Sequence, residues 1–218
     1  EGEGRRPRPE VAILMPRSAQ VWDAKEQTVA HGIEDATFVN LNGHTVDYMA
    51  EVYDIYLALQ HANIPADVVD EDMLTPAGLK PYRVIYITEP NIPVEGQKGL
   101  LDWTKKGGGL VAVSGAGARD RYDEPCDILA KGTGIREAPR DRVLVPNLDR
   151  LKMAAEGTSA GDAFKAIAVR GKLETPPGKD AVVEAAFADG APAIIRRPVG
   201  KGEAVRMLWM PGLSYARS

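Results

Sequence analysis

Four short apolar runs in the first half of the chain place the strongest constraint on its fold. They occupy residues 11–15, 66–69, 84–88 and 110–113 and consist mainly of Val, Ile, Leu and Ala. Runs of this length are typical of strands that are buried on both faces, as in a parallel sheet. Helical patterns lie between them, and this alternation requires right-handed crossovers. The sequence therefore predicts an α/β fold in which the four runs are neighbouring strands of a three-layer parallel sheet.

The first helical pattern runs from residue 46 to residue 61, after Thr45, which is a credible N-cap. Its apolar residues form two rows, with Val46, Met49, Ala50, Tyr53 and Leu57 in the first and Val52, Tyr56 and Leu59 in the second. We expect both rows to face the sheet, because together they form the wide apolar face of a helix that lies on it. A second helix is predicted over residues 94–106, where three glycines end the pattern.

The second half of the chain contains short strand candidates between Gly, Pro and Asp turns. The candidates are residues 142–145, 166–170, 181–187, 193–197 and 203–209. We expect them to form antiparallel strands that extend or flank the parallel sheet, so that residues 11–218 are one domain. Residues 1–10 are polar and contain prolines, and we expect a disordered tail there.

The connection from residue 16 to residue 45 is too long for a simple crossover. It contains Trp22, Phe38, Val39 and Leu41, which is more apolar surface than a solvated loop normally exposes. It also leaves the carboxyl end of the first strand, where ligands and partners of such sheets bind. We therefore predict that this loop is a contact surface.

Composition and charge exclude several classes of function. A net charge of −4 over 218 residues gives no general basic surface for nucleic acid, and no apolar run approaches the roughly 18 residues of a membrane span.

The single cysteine, Cys126, forms no intramolecular disulfide, and we expect it to be a small packing residue. We expect a soluble chain, either cytoplasmic or exported with its signal removed. From its start at Glu1, we expect the chain to be a module cut from a longer polypeptide.

Several stretches, taken in order, resemble a known family. They are residues 58–69 (ALQHANIPADVV), 81–87 (PYRVIYI), 101–111 (LDWTKKGGGLV), 190–193 (GAPA) and 200–205 (GKGEAV). Their order and spacing resemble the trimerisation domain of family-42 glycoside hydrolases, the bacterial β-galactosidases, over residues 11–212. That domain is a relative of class I glutamine amidotransferases, so the resemblance implies a flavodoxin-like, amidotransferase-like sheet.

The resemblance also implies a function. In that family the domain is non-catalytic: it follows a (β/α)8 barrel, packs subunits together and borders the active-site cleft. The implied partners are other copies of the chain, in a trimer, or neighbouring domains of the same chain. A carbohydrate at the cleft edge is the implied small molecule. We expect no cofactor.

Ser114 is the one candidate nucleophile, because it follows the fourth predicted strand where the amidotransferases carry their cysteine. A serine nucleophile needs a base. All three histidines precede Ser114 in the chain, whereas the amidotransferase histidine lies downstream of the nucleophile. Ala112 and Ala116 also stand where a Gly-x-Ser-x-Gly elbow has glycines. We therefore expect no catalytic residue and predict that Ser114 satisfies backbone groups at a strand end.

Polar and aromatic residues follow the first, third and fourth predicted strands and should converge on one edge of the sheet. They are Arg17, Ser18, Trp22, Glu89, Asn91, Ser114, Gly115, Arg119 and Asp120. Ligands of open α/β sheets bind at this edge, and Arg and aromatic residues also favour subunit interfaces, so the set fits a ligand cleft or an interface. Gly115 and Gly117 leave a similar choice between an anion-binding nest and a turn that needs positive φ.

The remaining candidates are expected to be structural. We interpret the acidic cluster Asp67, Asp70, Glu71 and Asp72 as solvated surface rather than as a glycosidase carboxylate pair. His31 and His44 are too irregularly spaced for a zinc site, so we predict no metal. His61 lies near the end of its helix, whose partial negative charge it can complement.

Two functions remain open at this stage. The first is a non-catalytic, amidotransferase-like module that oligomerises or braces the active site of a carbohydrate-active enzyme, the parent protein being a glycoside hydrolase. The alternative is an autonomous small-molecule hydrolase or binding protein that uses the cleft around Ser114.

Overall fold

The structure, a computed structural model, describes residues 8–15, 17–22, 48–139, 153–167 and 169–217. The strands are β1 (Val11–Leu14), β2 (Ala66–Val69), β3 (Val84–Ile87), β4 (Gly109–Ala112), β5 (Met153–Ser159), β6 (Asp162–Ile167), β7 (Val182–Phe187), β8 (Pro192–Val199) and β9 (Gly202–Met207). The helices are α1 (Tyr48–His61), α2 (Val94–Lys105), α3 (Ile128–Thr133) and α4 (Pro211–Arg217). A short helical segment at residues 17–22 follows β1.

All of these strands belong to one mixed sheet with the order β2-β1-β3-β4-β9-β8-β7-β5-β6. The strands β2, β1, β3, β4 and β9 pair in parallel, and the others pair antiparallel. The four predicted parallel strands are confirmed as neighbours, and so is the α/β class with antiparallel strands in the C-terminal half. β9 belongs to both halves, because it pairs in parallel with β4 and antiparallel with β8.

Burial on both faces explains the apolar runs. In β1, the side chains of Ala12, Ile13 and Leu14 are all fully buried. Helix α1 contacts β1 and β2, whereas α2 contacts β4 and β9. Right-handed crossovers that lead in opposite directions along the sheet place these two helices on opposite faces. Strands covered in this way have no polar side, which is why their sequences do not alternate.

Helix α1 presents a different side to the sheet from the one that its sequence predicts. Its buried residues are Tyr48, Glu51, Val52, Ile55 and Leu59. Tyr53 and Leu57 of the first predicted row are 61% and 41% exposed, and Tyr56 of the second row is 38% exposed. The prediction that both rows face the sheet is therefore wrong. Helix α4, which packs against the side that carries Glu51, contributes to the observed rotation of α1.

The antiparallel half follows the sequence less closely. The strands predicted at residues 181–187, 193–197 and 203–209 correspond to β7, β8 and β9 with shifted ends. The strand predicted at residues 166–170 overlaps only the last residues of β6, and β5 was not predicted. The strand predicted at residues 142–145 lies outside the described residues. Phe164 of β6 stacks on Trp209 with ring centroids 4.5 Å apart, which ties the β5–β6 hairpin to the sheet.

Most of the predicted contact loop lies outside the described residues, as do His31 and His44. Residues 1–7 of the predicted tail lie outside them as well, whereas the carbonyl of Glu10 accepts a hydrogen bond from the amide of Arg83 at 2.7 Å. Within the described part of the chain, no helix has the length and apolar content needed to cross a membrane.

Helix α4, which the sequence did not predict, docks on α1 through a buried carboxylate. Glu51 is fully buried, and its two oxygens accept the amides of Gly212 at 2.9 Å and Leu213 at 2.8 Å. These amides belong to the first turn of α4, where N–H groups have no partner within the helix. Burial raises the pKa of Glu51 to about 7. Further along α4, the hydroxyl of Tyr215 lies 2.6 Å from Nδ1 of His61.

Replacing Glu51 with Gln tests this buried carboxylate. The pKa rises from an ordinary value of 4.5 to about 7 on folding, so between these values the folded state holds a proton that the unfolded chain has released. The free energy of unfolding of the parent, relative to that of Glu51→Gln, should therefore fall as the pH rises through this window. We expect a fall of up to about 3 kcal/mol. Urea unfolding of both proteins between about pH 4.5 and pH 7.5 measures it, and a difference that stays constant with pH would contradict the assignment.

Candidate functional site

The carboxyl ends of β1, β3 and β4 meet at one edge of the sheet, which we call the carboxyl edge. The segments that follow these strands carry the residues predicted for a cleft or an interface. Glu89 connects these segments, because its carbonyl accepts the amide of Gly117 at 2.9 Å and its carboxylate accepts the amide of Ala19 at 3.4 Å. The indole N–H of Trp22 donates to the carbonyl of Arg121 at 3.0 Å, and the remaining predicted residues form three groups of contacts.

Ser114 begins the turn after β4 and is fully buried. Its hydroxyl donates a hydrogen bond to Oε1 of Glu137, and the amide of Gly115 donates to Oε2 of the same carboxylate at 2.7 Å. The amide of Ser114 donates to the carbonyl of Trp209 at 3.2 Å. In a nucleophile turn, the hydroxyl and the amide that follows it would act on a substrate. Here both are bound to one carboxylate of the chain itself.

Arg206 completes this arrangement, and we call Ser114, Gly115, Glu137 and Arg206 the Glu137 cluster. Nη1 of Arg206 donates to the carbonyls of Val113 at 2.9 Å and Ala116 at 3.0 Å, and it lies 3.8 Å from Oε2 of Glu137. The side chains of Glu137 and Arg206 are only 9% and 8% exposed. Burying a carboxylate to this depth is costly, and the donors and the countercharge of Arg206 in the cluster lower this cost.

The cluster binds the position that a nucleophile would occupy to groups of the chain itself. The hydroxyl of Ser114 does not line the pocket at this edge, and the carboxylate that accepts its hydrogen bond is paired with Arg206. Gly115 and Gly117 have φ angles of 81° and 70°, and both of their amides donate to groups of the chain itself. They therefore form a turn that needs positive φ, and their amides are not available to an anion.

Arg17 and Ser18 bind the acidic residues that follow β2. The guanidinium group of Arg17 lies 3.0 Å from Oδ1 of Asp70 and 3.1 Å from Oδ1 of Asp72. The hydrogen bond from Arg17 holds the pKa of Asp72 below its ordinary value. Ser18 donates from its amide and its hydroxyl to the two oxygens of Glu71, at 2.6 Å and 2.7 Å. Glu71 is buried, so the prediction that the acidic cluster is solvated surface is wrong for this residue.

Asn91, Arg119 and Asp120 shape the loop that follows the Ser114 turn. The amide of Asn91 donates to the carbonyl of Asp120 at 3.0 Å and to the carboxylate of Asp123 at 2.9 Å. Arg119 donates to the carbonyl of Asp123 at 2.7 Å, and the carboxylate of Asp120 accepts the amide of Tyr122 at 2.8 Å. These contacts hold the loop in a position where Tyr122 is 71% exposed.

A pocket of about 340 Å³ adjoins the Glu137 cluster, and Gly115, Glu137 and Arg206 of the cluster are among the residues that line it. The turn at residues 115–118, Arg119 and Arg136 line it as well. Arg136 lies 3.7 Å from the carboxylate of Asp127 and 3.4 Å from that of Glu174, and both acids line the pocket as well. The pocket therefore offers both donors and acceptors to a small molecule.

Sequence reasoning did not single out Glu137, Arg136 or Arg206. Only Arg206 carried a signal: it occupies a buried position in alternation with Ala204 and Leu208, where an apolar residue is expected. Cys126 lies in the pocket wall and is partly buried. Among the described residues, no group of three or more His, Cys, Asp or Glu side chains could hold a metal ion.

Comparison with known proteins identifies a family. One family model, described as "Beta-galactosidase trimerisation domain", matches residues 17–209. No curated protein sequence matches the chain.

Solved structures share the fold over nearly the whole chain. The β-galactosidase from Bacillus circulans sp. alkalophilus has a TM-score of 0.71 and 18% identity, and the match covers 99% of this chain and 30% of that enzyme's chain. For the β-galactosidase from the haloarchaeon Halorubrum lacusprofundi the TM-score is 0.66 and the identity 16%, and the match covers 100% of this chain and 30% of the enzyme's chain. For an exo-β-1,4-mannosidase from Opitutaceae bacterium strain TAV5 the TM-score is 0.60 and the identity 15%, and the match covers 95% of this chain and 32% of the enzyme's chain. The chain thus spans about a third of the length of these proteins.

Substitutions in the Glu137 cluster measure its structural role. Glu137→Ala removes the acceptor of Ser114 and Gly115 and the countercharge of Arg206. We expect it to lower the free energy of unfolding by about 3 kcal/mol. Ser114→Ala removes one hydrogen bond and should lower it by about 1 kcal/mol. Urea unfolding of each variant gives both values.

Glu174→Ala is the matched control, because this carboxylate forms a more exposed ion pair with Arg136 at the same edge. We expect it to lower the free energy of unfolding by less than about 1 kcal/mol. If Glu137→Ala costs no more than this control, the carboxylate does not hold the turn after β4.

Proposed function

The chain belongs to the family of β-galactosidase trimerisation domains, and from this we propose that it is a non-catalytic module that assembles copies of a glycoside hydrolase and borders the active-site cleft of that enzyme. The observation that carries the proposal is the Glu137 cluster. One buried carboxylate binds the hydroxyl of Ser114 and the amide of Gly115, so this turn offers a substrate neither a nucleophile nor an oxyanion donor.

We further assign the parallel half of the sheet to the flavodoxin-like type that class I glutamine amidotransferases share. The order β2-β1-β3-β4-β9 supports this assignment, because five parallel strands in the order 2-1-3-4-5 form the flavodoxin-like sheet. In such sheets the carboxyl edge is the binding edge. With the nucleophile position closed, assembly or ligand binding is the function that this edge retains.

The carboxyl edge is our proposed contact surface between copies of the chain. Val21 and Tyr122 are 66% and 71% exposed at this edge. The indole N–H of Trp22 donates to the carbonyl of Arg121 at 3.0 Å, which joins the segment at residues 17–22 to the loop of Tyr122. An exposed aromatic side chain such as that of Tyr122, with Arg121 next to it in the chain, is a group that interfaces favour.

A second candidate function is the binding of a carbohydrate in the pocket at the same edge. The observation that favours it is the mixture of basic and acidic residues around the pocket, which are Arg119, Arg136 and Arg206 and Asp127, Glu137 and Glu174. A sugar hydroxyl both donates and accepts hydrogen bonds, so a neutral lining of donors and acceptors suits a sugar better than an anion. Hydrolysis in this pocket has less support, because Ser114 does not line it.

Light scattering on the isolated chain tests the assembly role. We expect a mass three times that of the 23.5-kDa chain. The mass should fall on dilution only below the dissociation constant of the assembly, so the measurement is repeated over a range of protein concentrations. A monomer at concentrations of about 100 µM would contradict the assembly role.

Hydrolysis assays test the non-catalytic assignment separately. We expect no turnover of glutamine or of activated esters by the isolated chain, and no difference between the parent and Ser114→Ala, because the hydroxyl is buried against Glu137. Glu174→Ala serves as a control that leaves the turn after β4 intact. Turnover that disappears only in Ser114→Ala would favour the hydrolase alternative.

A further inference from the structure

Helix α1 carries apolar side chains on two sides, and the described chain covers only one of them. Tyr53, Tyr56 and Leu57 are three and four residues apart, so they share one face of the helix. They are 61%, 38% and 41% exposed, and Ile64, just beyond the helix, is 40% exposed. We call the surface formed by Tyr53, Tyr56, Leu57 and Ile64 the outer flank.

Helix α2 shows how a solvent-facing helix of this protein is built. It exposes Lys98 and Asp102, and Lys98 pairs with Glu95 at 2.9 Å. Helix α1 contains no lysine or arginine, and its acidic residues are the buried Glu51 and Asp54. A helix that is apolar on most sides is typical of one that is buried on most sides. Few charges and many aromatic residues are also typical of the centre of a protein interface.

We propose that the outer flank packs against a second copy of this chain. This inference rests on the assembly role proposed above. In a ring of three copies the contact is heterologous, so that a surface of one copy meets a different surface of the next. The outer flank is one such surface. The carboxyl edge around Trp22 and Tyr122 is the other surface. Each copy then buries its outer flank against one neighbour and its carboxyl edge against the other.

The double variant Tyr53→Glu/Leu57→Glu tests the outer flank. Both side chains are more than a third exposed in the single chain, so the fold should tolerate the change. The matched control is Lys98→Glu on α2, which changes the net charge by the same −2 on a surface that is already charged. By light scattering, we expect the dissociation constant of the assembly to rise at least about a hundredfold in the double variant and to stay unchanged in the control. Far-UV circular dichroism and the thermal midpoint confirm that each variant is folded.

A mixing experiment then locates the surface that the flank contacts. Trp22→Ala weakens the carboxyl edge and leaves the flank intact, whereas the double variant does the reverse. A heterologous contact predicts that each variant alone is monomeric and that an equimolar mixture forms a dimer of one copy of each. A mixture that remains monomeric would overturn the flank-to-edge contact.

The outcomes separate this inference from the assembly role. If the parent chain is monomeric, the assembly role fails and the inference fails with it. If the parent assembles and the double variant keeps the parent's mass, only the outer flank is refuted as a contact between copies.

Discussion

The parallel pairing of β9 with β4 is the contact on which both halves of the sheet depend. It requires a close approach of two backbones, because a Cβ on Gly202 would lie 2.2 Å from the carbonyl oxygens of Gly108 and Thr104. Glycine is the residue that permits this approach. The amide of Lys201 donates to the carbonyl of Lys105 at 2.9 Å, which fixes the start of β9 against the end of α2. Without this register, the antiparallel strands would have no fixed position beside the parallel ones.

The same register places the arginine of the Glu137 cluster. Arg206 pairs with Ala112 at the end of β4, so its guanidinium group reaches the carbonyls of the turn that follows. In a nucleophile elbow, a strained turn exposes the hydroxyl at the top of the sheet. Here Arg206 and Glu137 bind the backbone and the side chain of that turn, and Ser114 is buried. A late strand of the chain therefore supplies the arginine that holds the turn after β4.

The parallel half could be predicted from the sequence because burial on both faces leaves a direct trace, as in Ala12, Ile13 and Leu14. Strand β5 leaves no such trace, because most of its positions are exposed. The Glu137 cluster could not be predicted either, since it joins residues that are distant in sequence through contacts that only the tertiary fold creates. A charged residue such as Glu51 is ordinarily expected on the exposed side of a helix. It is buried here, where α4 supplies two amides to its carboxylate. For the Glu137 cluster and for Glu51, the missing information was which distant residue supplies the contact.

Helix α1 has more apolar residues than one sheet can cover. This excess explains why the sequence predicted the wrong side of the helix to face the sheet, and why the outer flank is apolar. A helix that packed only on its own sheet and on α4 would gain solubility from charged residues at positions 53, 56 and 57, as α2 does at its exposed positions. The chain instead places Tyr53, Tyr56 and Leu57 there. Two apolar sides make the rotation ambiguous in the sequence, because either could face the core. Local rules tend to fail at functional sites, and a helix with two such sides is expected where a chain meets both its own core and a partner.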